Sequence, residues 1–182
     1  MTKRSKLSEY KHFKKLSNQW WSEKGEYKIL HKIMPVRMEY ILNFIDSKKI
    51  RNCKILDIGC GGGLISESLA KLGGQVTGID FVENNIKEAK SHALKQNLKI
   101  NYFVQDIENL NLSNKFDLII LFEVLEHLNN WDKSLIKIKK NLKKNGILII
   151  STINKNFLSN LLKCLNSDNF VLLVILKLVC SY

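Results

Sequence analysis

Apolar residues recur at helical spacing through the first fifty positions, and then switch to short runs separated by helical stretches. Tyr10, Phe13, Leu16 and Trp20-Trp21 give a first helix one apolar face, and Gly25 ends it. After Pro35, the series Val36, Met38, Ile41, Leu42 and Ile45 predicts a second helix that finishes near Asp46-Ser47. Beyond position 50 the pattern predicts strands near 53–58, 75–80, 100–104, 116–121 and 147–150. Helices are expected at 64–72, around Ile86–Leu94 and around Leu135–Leu142, the last closed by Asn145-Gly146. The fourth strand, Phe116-Asp117-Leu118-Ile119-Ile120-Leu121, is almost wholly apolar, as an interior parallel strand should be. This alternation predicts an α/β fold, a doubly wound and mostly parallel sheet with right-handed crossovers, preceded by a helical cap. One domain is expected, divided into a cap (1–50), an α/β core (51–156) and a divergent apolar tail (157–182). In the tail, Phe157, Leu158, Leu161, Leu162 and Leu165 suit an amphipathic helix, and Phe170–Leu176 is a continuous apolar run too short to span a bilayer.

Composition alters this picture little. A chain of 182 residues forms one domain that buries about 70% of its unfolded surface. The formal charge of +12 is the exception, and such a charge points to nucleic acid or an anionic membrane surface. Arg4, Arg37 and Arg51 are the only arginines, so the forked donors that read bases and phosphates are missing. Nucleic acid is therefore disfavoured, while attraction to an anionic membrane stays open. Cys53, Cys60, Cys164 and Cys180 show no paired spacing, which indicates a reducing, intracellular setting with Cys53 and Cys60 as small buried side chains. Lys3, Arg4 and Lys6 have no apolar stretch behind them, so no secretory signal is expected.

The candidate chemistry begins at Ile55-Leu56-Asp57-Ile58-Gly59-Cys60-Gly61-Gly62-Gly63, a buried strand running into a glycine turn. Missing Cβ atoms let backbone approach a ligand closely. Asp80, at the end of the next strand, is placed to accept the hydroxyls of a ribose. A dinucleotide fingerprint would need glycine at position 64, where this chain has Leu64. The glycines run Gly59-x-Gly61-x-Gly63 behind the extra acid Asp57, a pattern similar to that of S-adenosylmethionine-dependent methyltransferases. Glu123, Glu126 and His127 form a second cluster. On a helix they share one face, as a cation site, as a general base at His127, or as a solvated helix start whose carboxylates favour the dipole.

Four stretches narrow the resemblance. Phe13 to Trp20-Trp21, Leu30-His31-Lys32-Ile33-Met34-Pro35-Val36-Arg37-Met38-Glu39-Tyr40-Ile41, Phe122-Glu123-Val124-Leu125-Glu126-His127 and Ser151-Thr152-Ile153-Asn154-Lys155-Asn156 resemble, in order, segments of the ubiquinone-biosynthesis O-methyltransferases. The resemblance implies S-adenosylmethionine as cofactor, with Gly59 and Asp80 on its amino-acid and ribose parts. It places Arg37 on the cofactor's carboxylate and Phe122 beside the methyl-donor end, where relatives often carry methionine. Asp106 is a weaker candidate for the adenine edge. It reads Glu123, Glu126 and His127 as a magnesium site. It implies methylation of hydroxyls on polyprenylated phenols or catechols, contact with other ubiquinone-biosynthesis proteins, and a cytoplasmic chain peripheral to the inner face of the inner membrane. A different small-molecule acceptor, or a cofactor-binding remnant without activity, are the rival readings. After Asn156 the resemblance decays. The last two strands of that family's sheet are expected to be missing, as from an early stop or frameshift, with Phe170–Leu176 as misplaced core or a membrane contact.

Overall fold

A computed structural model describes residues 6–152 and a strand at 171–176, with side chains for 6–151. The cap consists of α1 (Lys6–Leu16), a single 3-10 turn (Ser17–Gln19), α2 (Lys28–Phe44) and the short α3 (Ser47–Ile50). The core follows as β1 (Lys54–Ile58), α4 (Leu64–Lys71), β2 (Gln75–Asp80), α5 (Glu83–Lys95), β3 (Asn101–Val104), β4 (Phe116–Phe122), α6 (Trp131–Lys140), β5 (Leu142–Thr152) and β6 (Val171–Leu176). The strands form one six-stranded sheet in the order β3-β2-β1-β4-β5-β6, and every pairing is parallel. Because β1 leads outward to β2 and β3 while β4 returns on its other side, the strand order reverses between β1 and β4. Ligands in open α/β sheets bind outside the carboxyl ends of the strands at such a reversal.

Side chains of β4 alternate between the two faces of the sheet. Ile119 and Leu121 join a core with Leu56, Ile58, Ile79, Leu148 and Ile150, covered by Leu135 and Ile138 of α6. Leu118, Ile120 and Phe122 join the opposite core with Ile55, Val76 and Ile149, covered by Ile41 of α2 and by Ile65 and Leu69 of α4. Both faces are buried, which is why β4 reads as an uninterrupted apolar run.

Five expectations need correction. The first helix ends at Leu16, before Trp20-Trp21 and Gly25. The second helix starts at Lys28, seven positions before Pro35, which lies inside it. Proline there removes one helical hydrogen bond, a penalty of about 3 kcal/mol. Met34, Met38, Ile41, Leu42 and Ile45 pack against the sheet from the same segment, and each buried apolar side chain returns roughly 1.5–3 kcal/mol. Tertiary burial therefore overrides the local breaker. Asn145-Gly146 does not close α6, which ends at Lys140; the pair lies inside β5, where the register shifts between the Phe116↔Leu142 and Leu118↔Ile147 pairings. Asn145 takes φ +63°, so turn chemistry is used for a strand irregularity. The segment after β4 is a 3-10 turn at Leu125–His127, not the start of an α-helix. Finally, one strand follows β5 where the sequence left the sheet ending: Val171–Leu176 pairs with Ile147–Thr152 in parallel. The helix expected within 157–165 lies outside the described residues.

Candidate functional site

A cavity of about 340 Å³ opens at the reversal point, lined by the ends of β1, β2 and β4 and roofed by the cap. Its size lies in the range of small-molecule sites. Arg37, Gly59, Asp80, Phe122, Glu123 and His127 all line it, together with Asp57, Asn85 and Asp106. Glu126 does not line it.

The floor is the glycine turn. Gly59 and Gly61 adopt left-handed backbone, φ +71° and +53°. A Cβ on Gly59 would fall 2.4 Å from Val124 Cγ2, and one on Gly61 would fall 2.3 Å from Trp20 Cη2. Both glycines are thus needed twice, for conformation and for space. Asp80 fastens the turn from the next strand. Its Oδ2 accepts from the Gly61 amide at 3.0 Å, and its Oδ1 accepts from the Val82 amide at 2.8 Å and from Asn85 Nδ2 at 3.3 Å. Burial raises the Asp80 carboxyl, and these donors pull it back down. Asp57, one strand away, is also buried; Ser66 Oγ donates to its Oδ2 at 2.6 Å. Burial lifts the Asp57 carboxyl to about 6, against the Ser66 bond and with Asp80 adding to the rise.

The cap presses aromatic rings onto this floor. Trp20 stacks on Tyr27 at 3.9 Å between ring centres and donates from Nε1 to Asn85 Oδ1 at 2.9 Å. Asn85 in turn donates to Asp80, so one chain of contacts joins the cap to the acid at the end of β2. Trp21 donates from Nε1 to the Gly62 carbonyl at 3.1 Å and stacks on His92 at 3.4 Å. The tryptophans therefore form hydrogen bonds to the core as well as packing on it, where the sequence indicated an apolar face alone. Trp20, Tyr27 and Asn85 were missed as lining residues, and Asp57 was given no contact of its own. Asp57 was visible beside the glycines, whereas Asn85 carries no signal in any local pattern.

Across the cavity, the Arg37 guanidinium lies 5.0 Å from the centre of the Phe122 ring and 3.4 Å from Glu123 Oε1. Burial lowers the Arg37 pKa, while Glu123 and Asp57 oppose the shift. Glu123 Oε1 also accepts from Ser151 Oγ at 2.9 Å, and Glu123 has left-handed backbone at φ +57°. His127 Nδ1 lies 3.0 Å from Glu9 Oε1 of α1, with the Phe13 ring edge-on to it. Lys6 of the same helix pairs with Asp106 and Glu108.

Two of the three residues read as a magnesium site are taken up by other partners. Glu123 is engaged by Arg37 and Ser151, His127 by Glu9, and Glu126 keeps a buried Oε2 without a partner. Burial, reinforced by the Glu123 carboxylate, raises the Glu126 carboxyl. Among the described residues, no three His, Cys, Asp or Glu side chains converge to hold a metal ion. The expected face required an α-helix, and a left-handed residue followed by a 3-10 turn does not supply one. The arrangement does not fit magnesium. Cys60 is buried as expected, whereas Cys53 is only partly so.

A methyltransferase-domain family matches residues 49–176. Ubiquinone biosynthesis O-methyltransferase of Pelagibacter ubique is 45% identical over 159 residues, covering 83% of this chain and 66% of that protein. The protein of that name from Rickettsia akari is 42% identical over 146 residues, covering 79% of this chain and 58% of its own. The chain thus spans about 58–66% of the length of these relatives. Among solved structures, the PH0226 protein of Pyrococcus horikoshii superposes with TM-score 0.65 at 21% identity, over 82% of this chain and 69% of that one. The N-methyltransferase NodS of Bradyrhizobium japonicum, in complex with S-adenosyl-L-homocysteine, gives 0.64 at 22%, over 78% and 71%. These likenesses establish the fold. With the reversal-point cavity and the family match spanning β1 to β6, the chain belongs to the methyltransferase-domain family.

Proposed function

We propose that this chain binds S-adenosylmethionine in the reversal-point cavity and transfers its methyl group to a hydroxyl of a polyprenylated phenol or catechol in ubiquinone biosynthesis. The observation that carries this reading is the 45% identity to a ubiquinone biosynthesis O-methyltransferase over 159 residues, a stretch that takes in most of the described cavity. The floor suits the cofactor: Asp80 retains lone pairs for ribose hydroxyls, and Arg37 offers a fork for a carboxylate. Bound there, the cofactor supplies an electrophilic methyl on a sulfonium.

His127 is the proposed general base. Glu9 engages Nδ1, which favours a proton on that nitrogen and leaves Nε2 as the basic one. Nε2 takes the acceptor's hydroxyl proton, the oxygen forms the new bond to carbon, and the sulfur keeps the electron pair of the broken bond. No step runs through a metal. A greasy acceptor fits attachment to an anionic membrane, supported by the net charge of +12 and by α6, whose last turn carries Lys137, Lys139 and Lys140 beside exposed Ile136. Among the described residues no helix is long and apolar enough to cross a membrane.

The test is methyl transfer from isotopically labelled S-adenosylmethionine to a prenylated catechol in detergent micelles, followed by mass spectrometry. Label on the phenolic oxygen, lost in His127→Ala, is expected. Cofactor binding with no transfer to any catechol would overturn the acceptor assignment.

A further inference from the structure

Arg37 is the cation expected to receive the cofactor's carboxylate, and it already holds one. Its Nη2 lies 3.4 Å from Glu123 Oε1, with both side chains at the cavity wall and only 12% and 24% exposed. Two further features keep Glu123 there. Ser151 Oγ donates to the same Oε1, and the Glu123 amide donates to the Ser151 carbonyl at 3.2 Å, tying the residue to the end of β5. Glu123 does this from left-handed backbone, φ +57°, a conformation that costs a non-glycine residue and persists where surroundings enforce it. The Phe122 ring below the guanidinium limits where it can move.

We propose that Glu123 is a built-in stand-in for the cofactor's carboxylate. In the empty protein it neutralises Arg37; when the cofactor binds, its carboxylate takes over the guanidinium and Glu123 is released. The inference rests on the cofactor reading above. The exchange has two consequences. Cofactor affinity is reduced by the intramolecular competitor, and a carboxylate becomes available in the cavity only once the donor is in place. Glu123 is thus a positioning residue that acts through Arg37.

Calorimetry with two ligands tests this. S-adenosylhomocysteine carries the carboxylate, and 5′-methylthioadenosine lacks the whole amino-acid tail. Glu123→Gln is expected to tighten S-adenosylhomocysteine by about two- to fivefold, the size of a partly exposed ion pair, and to leave 5′-methylthioadenosine unchanged. In an Arg37→Ala background the gain should vanish. Ser151→Ala, which loosens Glu123 without removing its charge, should shift affinity in the same direction by a smaller factor, and it decides the matter if Glu123→Gln does not fold. Unchanged or weaker S-adenosylhomocysteine binding in the variants, or equal tightening of both ligands, would overturn the exchange. Failure of the unaltered chain to bind either ligand would overturn the cofactor reading itself, and the exchange with it.

Discussion

Asp57 and Asp80 stand on adjacent parallel strands, both buried, yet their surroundings give them different work. Asp80 is held by two backbone amides and Asn85, whereas Asp57 has one hydroxyl partner, Ser66. Burial consequently lifts Asp57 from 3.8 to about 6. A carboxyl with a raised folded-state value binds its proton more tightly when folded. Its contribution to stability is therefore complete below about pH 4 and is lost as pH rises through about 6. Relative to Asp57→Asn, the unaltered chain should lose about 2–3 kcal/mol of stability across that window, read from urea unfolding at a series of pH values. A difference that is flat, or that grows with pH, would contradict the assignment. At Gly61, replacement by alanine meets both positive φ and the Trp20 ring. It should destabilise the chain by about 1–3 kcal/mol and displace Trp20, visible as a change in tryptophan fluorescence. An unchanged spectrum and stability would count against the close approach described.

The cap helices depend on the core rather than on their own propensities. Helix α2 keeps Pro35 exposed in its interior because the opposite face is pinned by Met38, Ile41 and Leu42. Pro35→Ala restores an N–H to the helix and should stabilise the chain by about 1–2 kcal/mol, net of the added freedom of the unfolded chain. A lower unfolding midpoint would show that the proline is accommodated without loss. The cap is fastened to the glycine turn by Trp21. Trp21→Phe preserves a ring against His92 but deletes the donor to the Gly62 carbonyl, at an expected cost of about 1 kcal/mol. An unchanged midpoint in chemical denaturation would mean that this bond contributes nothing. Strands β1, β2 and β4 were legible to within a residue because buried parallel strands are short apolar runs with sharp ends. The start of β5 was not. Lys143-Lys144-Asn145-Gly146 has the chemistry of a turn, and only pairing with β4 turns it into an irregular strand.

Over the whole molecule, the sheet order and the reversal between β1 and β4 make a cavity from residues far apart in the chain. Arg37, Gly59, Asp80, Phe122, Glu123 and His127 were individually legible, and they do border one space. Their partners were not, because Trp20 with Asn85, Arg37 with Glu123 and Glu9 with His127 lie 65, 86 and 118 positions apart. Periodicity has no access to such pairs. It also misjudged Glu123, Glu126 and His127, whose apparent common face depended on a helix the backbone does not form. The central claim is that Asp80 and the glycine turn hold a nucleoside with an amino-acid tail. Calorimetric titration of S-adenosylhomocysteine into the unaltered chain and into Asp80→Ala tests it most directly. Saturable binding that weakens by about ten- to a hundredfold in the variant is expected, the loss of charge-assisted bonds worth about 1.5–3 kcal/mol. Binding that is equal in both folded proteins, or absent from the unaltered one, would contradict it.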